Sequence, residues 1–164
     1  MTLERLWAGW RAEYVASVGA EDDRDDCLFC TLASSPPDEA FVVARSDRTF
    51  AVLNAYPYTS GHLMVAPITH EADLEGLGPE DAAALMSMTQ RASVAIKAAY
   101  QPDGLNVGMN LGRAAGAGVP GHLHLHVVPR WVGDTNFMTT AAEVRVLPEA
   151  LPTTLERLRA AWPA

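Results

Sequence analysis

Cysteine is scarce in this chain: there are two in 164 residues, in the run Cys27-Leu28-Phe29-Cys30. So few, so closely spaced, exclude a disulfide-built secreted scaffold and leave metal binding, redox use or plain thiols open. Long apolar runs are also missing. None approaches the ~18 residues of a membrane helix, so no segment is expected to span a bilayer. The opening Met1-Thr2-Leu3-Glu4-Arg5 has an acidic residue and no signal-like apolar stretch, which makes a cytoplasmic location the expectation. Positive charge is in short supply as well, with 12 Lys and Arg against 20 Asp and Glu, a net charge of −8. With its cations scattered, the chain is not expected to bind nucleic acid through a basic patch. A phosphate ligand is still compatible, because histidines, backbone N–H groups or a helix N-terminus can hold one. An apolar share of 49% with 20% charged residues points to one globular domain with a real core.

What is abundant is histidine in one place. Three of the five histidines alternate with leucine in His122-Leu123-His124-Leu125-His126-Val127-Val128, ahead of Pro129-Arg130-Trp131. Strict alternation predicts a half-buried β-strand with the three imidazoles on one face and Leu123, Leu125 and Val127 in the core. Imidazole ionises nearest neutrality of all side chains and serves as base, nucleophile or metal ligand. Packing alone does not call for three of them at period two.

Elsewhere the chain reads as α+β. The segment to Ser17 has enough apolar residues, including Trp7 and Trp10, to dock on the body, and residues 21–26 form an acidic loop. The cysteines fall on a tight turn or short helix, and Pro36-Pro37 mark a break. Strands are predicted at Phe41–Arg45, Thr49–Asn54 and His62–Pro67, the first two joined by Ser46-Asp47-Arg48. A long helix should start at Gly78-Pro79-Glu80-Asp81 and run to about Tyr100, with Leu85, Met88, Ala92, Ala95 and Ile96 on its inner face. Then follow a strand Leu105–Leu111, a glycine-rich loop Gly112–Gly121, the histidine strand, a short strand Val144–Leu147 and a last helix at about Glu149–Trp162. There is no internal repeat and no linker.

The histidine run resembles the signature of the histidine triad (HIT) superfamily, His-φ-His-φ-His-φ-φ with φ apolar. Asn54, the Gly61-His62 pair, Gly104-Leu105-Asn106-Val107-Gly108, the glycine loop and Pro129-Arg130 fall in that family's order. The resemblance covers roughly residues 27 to 131. It implies a HIT-like fold: a mainly antiparallel sheet of about five strands, a long helix between strands three and four, and a C-terminal helix. One domain over 1–164 is expected, with the terminal extensions packed on the core. The continuation Arg130–Met138 is similar to bacterial members related to diadenosine tetraphosphate phosphorylases and hydrolases.

By that resemblance His124 would attack the α-phosphorus of a nucleotide and form a nucleotidyl-histidine, splitting one hard displacement into two. His126 would donate a hydrogen bond to a phosphate oxygen. His62 resembles the fourth family histidine, which supports the site near His126; capping the start of its strand is the alternative. Asn54 would bind ribose, Asn110 the phosphates, and Gly118 and Val119 would supply backbone contacts. Many relatives place a serine, threonine or glutamine just before the triad to steer the leaving group. Gly118 and Val119 stand there in this chain, so that help must come from backbone, Arg113 or the C-terminal segment.

A second constellation concerns metal. Two thiolates at Cys-x-x-Cys spacing suit one zinc, against the alternatives of redox use or buried thiols. Zinc-bearing HIT proteins place ligands at the motif positions filled here by Cys27, Cys30, His70 and His122. Such a closed site is structural and takes His122 out of catalysis. The resemblance thus implies a zinc-containing, homodimeric enzyme acting on dinucleoside polyphosphates, with Trp7, Trp10 and Trp162 as docking residues. An adenosine phosphoramidate hydrolase and a zinc-stabilised nucleotide-binding module without turnover are the alternatives.

Overall fold

Short runs of β-branched and aromatic residues, broken by turn formers, give way to one long helical run and back again. The computed structural model describes residues 27–134 and 149–163. Helix α1 spans Leu28–Ser34; strands β1, β2 and β3 span Val42–Arg45, Thr49–Leu53 and Leu63–Pro67. Helix α2 spans Pro79–Tyr100, strand β4 Gly104–Met109, strand β5 Leu125–Arg130 and helix α3 Leu151–Ala160. Helix α2 starts and stops where its sequence says it should. Pro79 occupies the first turn beside Glu80 and Asp81, and Gln101 closes the last turn in the left-handed region, at φ 48°, before Pro102.

The five strands form one sheet in the order β1-β2-β3-β5-β4, every neighbouring pair antiparallel. Both faces of its centre are covered. Ala51, Leu53, Leu63, Val65, Leu125 and Val127 face α2, packing on Leu85, Met88, Ala92 and Ile96. Phe50, Val52, Met64 and Ala66 face the other way, towards Phe29 and Cys27 at the start of α1. Coverage on both sides explains why β3, and β2 after Thr49, are continuous apolar runs and why all five residues of each are buried. Parity along β5 does the sorting that matters. Leu125 and Val127 go to the α2 face, so His126, opposite Met64, goes to the α1 face.

Two expectations are corrected. The histidine run is not one seven-residue strand: the ladder begins at Leu125, and His122 to His124 lead into it through a bend at His122, with the Leu123 N–H donating to the Glu71 carbonyl (2.6 Å). Nor is the strand half-buried, because α1 covers the face that alternation assigns to solvent; His122 and His124 are 1% and 5% exposed. Strand β4 ends at Met109, two residues before Leu111, and the glycine loop contains a 3₁₀ turn at Arg113–Ala115. The docking segment to Ser17, the acidic loop and the strand expected at Val144–Leu147 lie outside the described residues. Among the described residues no helix is long and apolar enough to cross a membrane.

Candidate active site and metal centre

The site is built where β5, the start of β3 and the start of α1 meet. Gly61 turns the chain into β3 at φ +85°, and a Cβ there would stand 2.9 Å from the Tyr100 ring, so glycine is required on both counts. The Thr59 hydroxyl donates to the Pro129 carbonyl (2.8 Å), tying this turn to β5. His62 is thereby delivered, 1% exposed, against the triad.

Hydrogen bonds assign the protons on each ring. The Tyr58 backbone N–H donates to His62 Nδ1 (3.1 Å), so the His62 proton sits on Nε2 and is donated to His126 Nδ1 (3.0 Å). His126 must then carry its own proton on Nε2. For His124, Nδ1 lies 2.8 Å from the His122 carbonyl, which can only accept. The His124 proton is therefore on Nδ1, and Nε2 keeps its lone pair. The His124 and His126 rings stand edge to face at 5.0 Å. His124, just before β5, and His126, on it, thus present a nitrogen lone pair beside a hydrogen-bond donor.

Burial keeps both rings neutral. It lowers the pKa of His124, against the opposing pull of the His122 carbonyl. His126 is pushed down to about 4, mainly by burial and further by the neighbouring His124. The charged and titratable rings around it are His62, His124 and Tyr58. Because the folded pKa lies below the ordinary value, the unfolded chain takes up this proton first. Stability is then lost as pH falls from about 6.5 towards 4. His126→Gln is expected to flatten the melting temperature across that window relative to wild type; an identical slope in scanning calorimetry would refute the assignment.

The metal-ligand candidates converge as well. Cys27 Sγ is 3.3 Å and Cys30 Sγ 3.7 Å from His122 Nδ1, and Cys30 Sγ is 3.4 Å from His70 Nδ1. All four donor atoms lie within 4.8 Å of one another. A tetrahedral site with bonds of about 2.0–2.3 Å has edges of roughly 3.3–3.8 Å, so the three close contacts fit a shared ion. His122 Nε2 donates to the Pro67 carbonyl (2.9 Å), which turns the Nδ1 lone pair towards the thiols, as an outer-shell partner should. These four residues could bind a metal.

The nucleotide-contact candidates take quieter positions. Asn54 Oδ1 accepts the Tyr56 N–H (2.9 Å), an Asx turn beside the His62–His126 pair, with Nδ2 3.5 Å from His62 Nδ1. Asn110 Nδ2 donates to the Gly116 carbonyl (3.5 Å) and braces the glycine loop. Gly118 is half-buried, and Val119 packs against the Phe29 cluster. Arg113 opens the 3₁₀ turn. Two residues escaped the sequence reading. Tyr58 covers His62 at 4.7 Å and lies near-parallel to His126 at 6.3 Å. Phe29 stacks on His124. The contacts of Tyr58 with His126 and of Phe29 with His124 are long-range, so no local signal marks them.

A HIT domain model matches residues 36–132. The chain belongs to the HIT family. It is 41% identical to the AP-4-A phosphorylase of Mycobacterium tuberculosis, across 98% of this chain and 85% of that protein. Among solved HIT structures, a Zn-bound histidine triad family protein from Mycobacterium smegmatis superposes with a TM-score of 0.69 at 32% identity, covering 85% of this chain and 94% of the other. A Hit-like protein from Bartonella henselae gives 0.71 at 26% identity, covering 87% and 99%. The HIT fold expected from the sequence is therefore present.

Proposed function

We propose that the protein is a nucleotidyl transferase of dinucleoside polyphosphates, with phosphate as acceptor, working through a nucleotidyl-His124 intermediate. The observation that carries this reading is the His124 tautomer, whose bond to the His122 carbonyl leaves Nε2 as a lone pair. That lone pair forms the N–P bond at the α-phosphorus, the bond to the bridging oxygen breaks, and the electron pair leaves with the departing nucleotide. The leaving phosphate is an anion at neutral pH and needs no full proton. His126 Nε2–H therefore has only to donate a hydrogen bond to it, and His62 holds that tautomer. An acceptor oxygen then attacks the same phosphorus and returns His124 to its neutral form. Asn54, Asn110 and the backbone of Gly118 and Val119 are assigned to the ribose and phosphates.

The AP-4-A phosphorylase relative supports phosphate over water as acceptor. Zinc is assigned to Cys27, Cys30, His70 and His122, supported by the Zn-bound neighbour. With four protein ligands it closes the site and contributes folding energy. A homodimer has an edge available in β4, where Val107 is 50% exposed. Trp162 packs on its own core beneath Arg91 and is not assigned to docking; Trp7 and Trp10 lie outside the described residues. A cytoplasmic location is retained from the sequence.

The test is product analysis with diadenosine tetraphosphate. ADP plus ATP, formed only when phosphate is supplied, is the expected result. AMP plus ATP with water alone would overturn the acceptor. Two ADP from water would place attack at the centre of the chain and remove His124 from the chemistry.

A further inference from the structure

Phe29 lies between Cys27 and Cys30 in the chain, the two thiols of the candidate metal centre, and is 1% exposed. Its ring lies over His124 with centroids 4.7 Å apart and planes 25° from parallel, a stacked pair. It also sits 5.3 Å from His122, the ligand whose carbonyl holds the His124 proton. Ordinary core packing explains a buried phenylalanine here, but not why its face is turned to the ring that the mechanism makes the nucleophile.

That ring changes charge during the reaction. When Nε2 bonds to phosphorus while Nδ1 keeps its proton, the imidazole passes from neutral to formally positive. His124 is 5% exposed, so water screens little of that charge. The face of a benzene ring is the negative end of its quadrupole and attracts a cation stacked on it. Cys27 and Cys30 flank Phe29, so the same ligands that would hold a metal hold this face in place.

Building on the nucleotidyl-His124 reading, we propose that Phe29 is a positioning residue for the nucleophile. Its ring holds the imidazole plane, and its π-face stabilises the positive charge acquired on nucleotidylation. The metal centre is thereby joined to the chemistry through Phe29 and through the His122 carbonyl.

Fluorination tests this with little change of shape. Phe29 is replaced in the full chain by mono-, tri- and pentafluorophenylalanine. Metal content and melting temperature are checked, and single-turnover nucleotidylation of His124 by diadenosine tetraphosphate is timed at saturating substrate. The rate should fall stepwise with fluorine number, by about 3- to 30-fold at the pentafluoro stage, with KM little changed. The hydroxylated variant Phe29→Tyr should keep most of the rate, and Phe29→Leu should lose it. A flat rate across the series overturns the proposal, even if Phe29→Leu is slow, because packing alone would then account for the residue. Should the pentafluoro protein fail to take up metal, the monofluoro and trifluoro steps still decide. A flat series in an enzyme that needs His124 would sink only this inference; turnover that survives His124→Ala would sink the reading beneath it.

Discussion

His124→Ala is expected to lower turnover of diadenosine tetraphosphate by at least about 10³-fold, as removal of the proposed covalent nucleophile should. The chain is expected to stay folded, because Leu123, Leu125 and Val127 on the opposite face still fill the main core. The metal candidates Cys27, Cys30, His70 and His122 are untouched by the change. Two measurements made together settle the matter. Wild type quenched during turnover should carry one nucleotidyl group on the peptide containing His124, and the variant should carry none. Near-normal turnover in a folded, metal-loaded variant would end the covalent mechanism. His126→Gln should cost less, since the amide still offers a donor and the nucleophile is intact.

Loss of the metal centre should have the other large effect. Cys27 is fully buried and His122 is 1% exposed, so an empty site leaves the Cys27 thiol and an imidazole lone pair sealed from water. Cys27→Ser, or chelation of the wild type, is expected to cost more than about 3 kcal/mol, roughly 6–12 °C in melting temperature for a chain of this size. Activity should fall with it, because the carbonyl that fixes the His124 tautomer belongs to His122. Zinc added back to the chelated protein should restore both. A Cys27→Ser protein that binds no metal and melts like wild type would show that the four residues only pack together.

Much of the fold was legible because its signals are local. Pro79 with Glu80 and Asp81 marks one end of α2 and Pro102 the other, and the helix fills that interval. Strands β1 to β3 came within a residue or two of their turn-bounded apolar runs. Alternation gave the histidines a common face, although only His126 of the three lies in β5, and the spacing of Cys27 and Cys30 marked two candidate ligands. Other features depend on what approaches from elsewhere in the chain. Alternation at 122–128 pointed to a solvated face, but α1 folds over it, and burial is set by the covering element and not by the strand.

The sequence by itself determined the α+β order, the long helix, the alternation of faces along β5, and which residues are candidates for nucleophile and metal ligands. Those follow from backbone periodicity and residue chemistry, which need no distant partner. Only the tertiary structure decided the strand order that inserts β5 between β3 and β4, and so the pairing of His62 with His126. It also decided which nitrogen of each imidazole bears the proton, through the Tyr58 N–H and the carbonyls of His122 and Pro67. Finally it set Phe29 against His124, 95 residues further along the chain. Contacts at such separation are fixed by how sheet and helices close on one another, and the proton positions and ring stacking of the candidate site depend on those contacts.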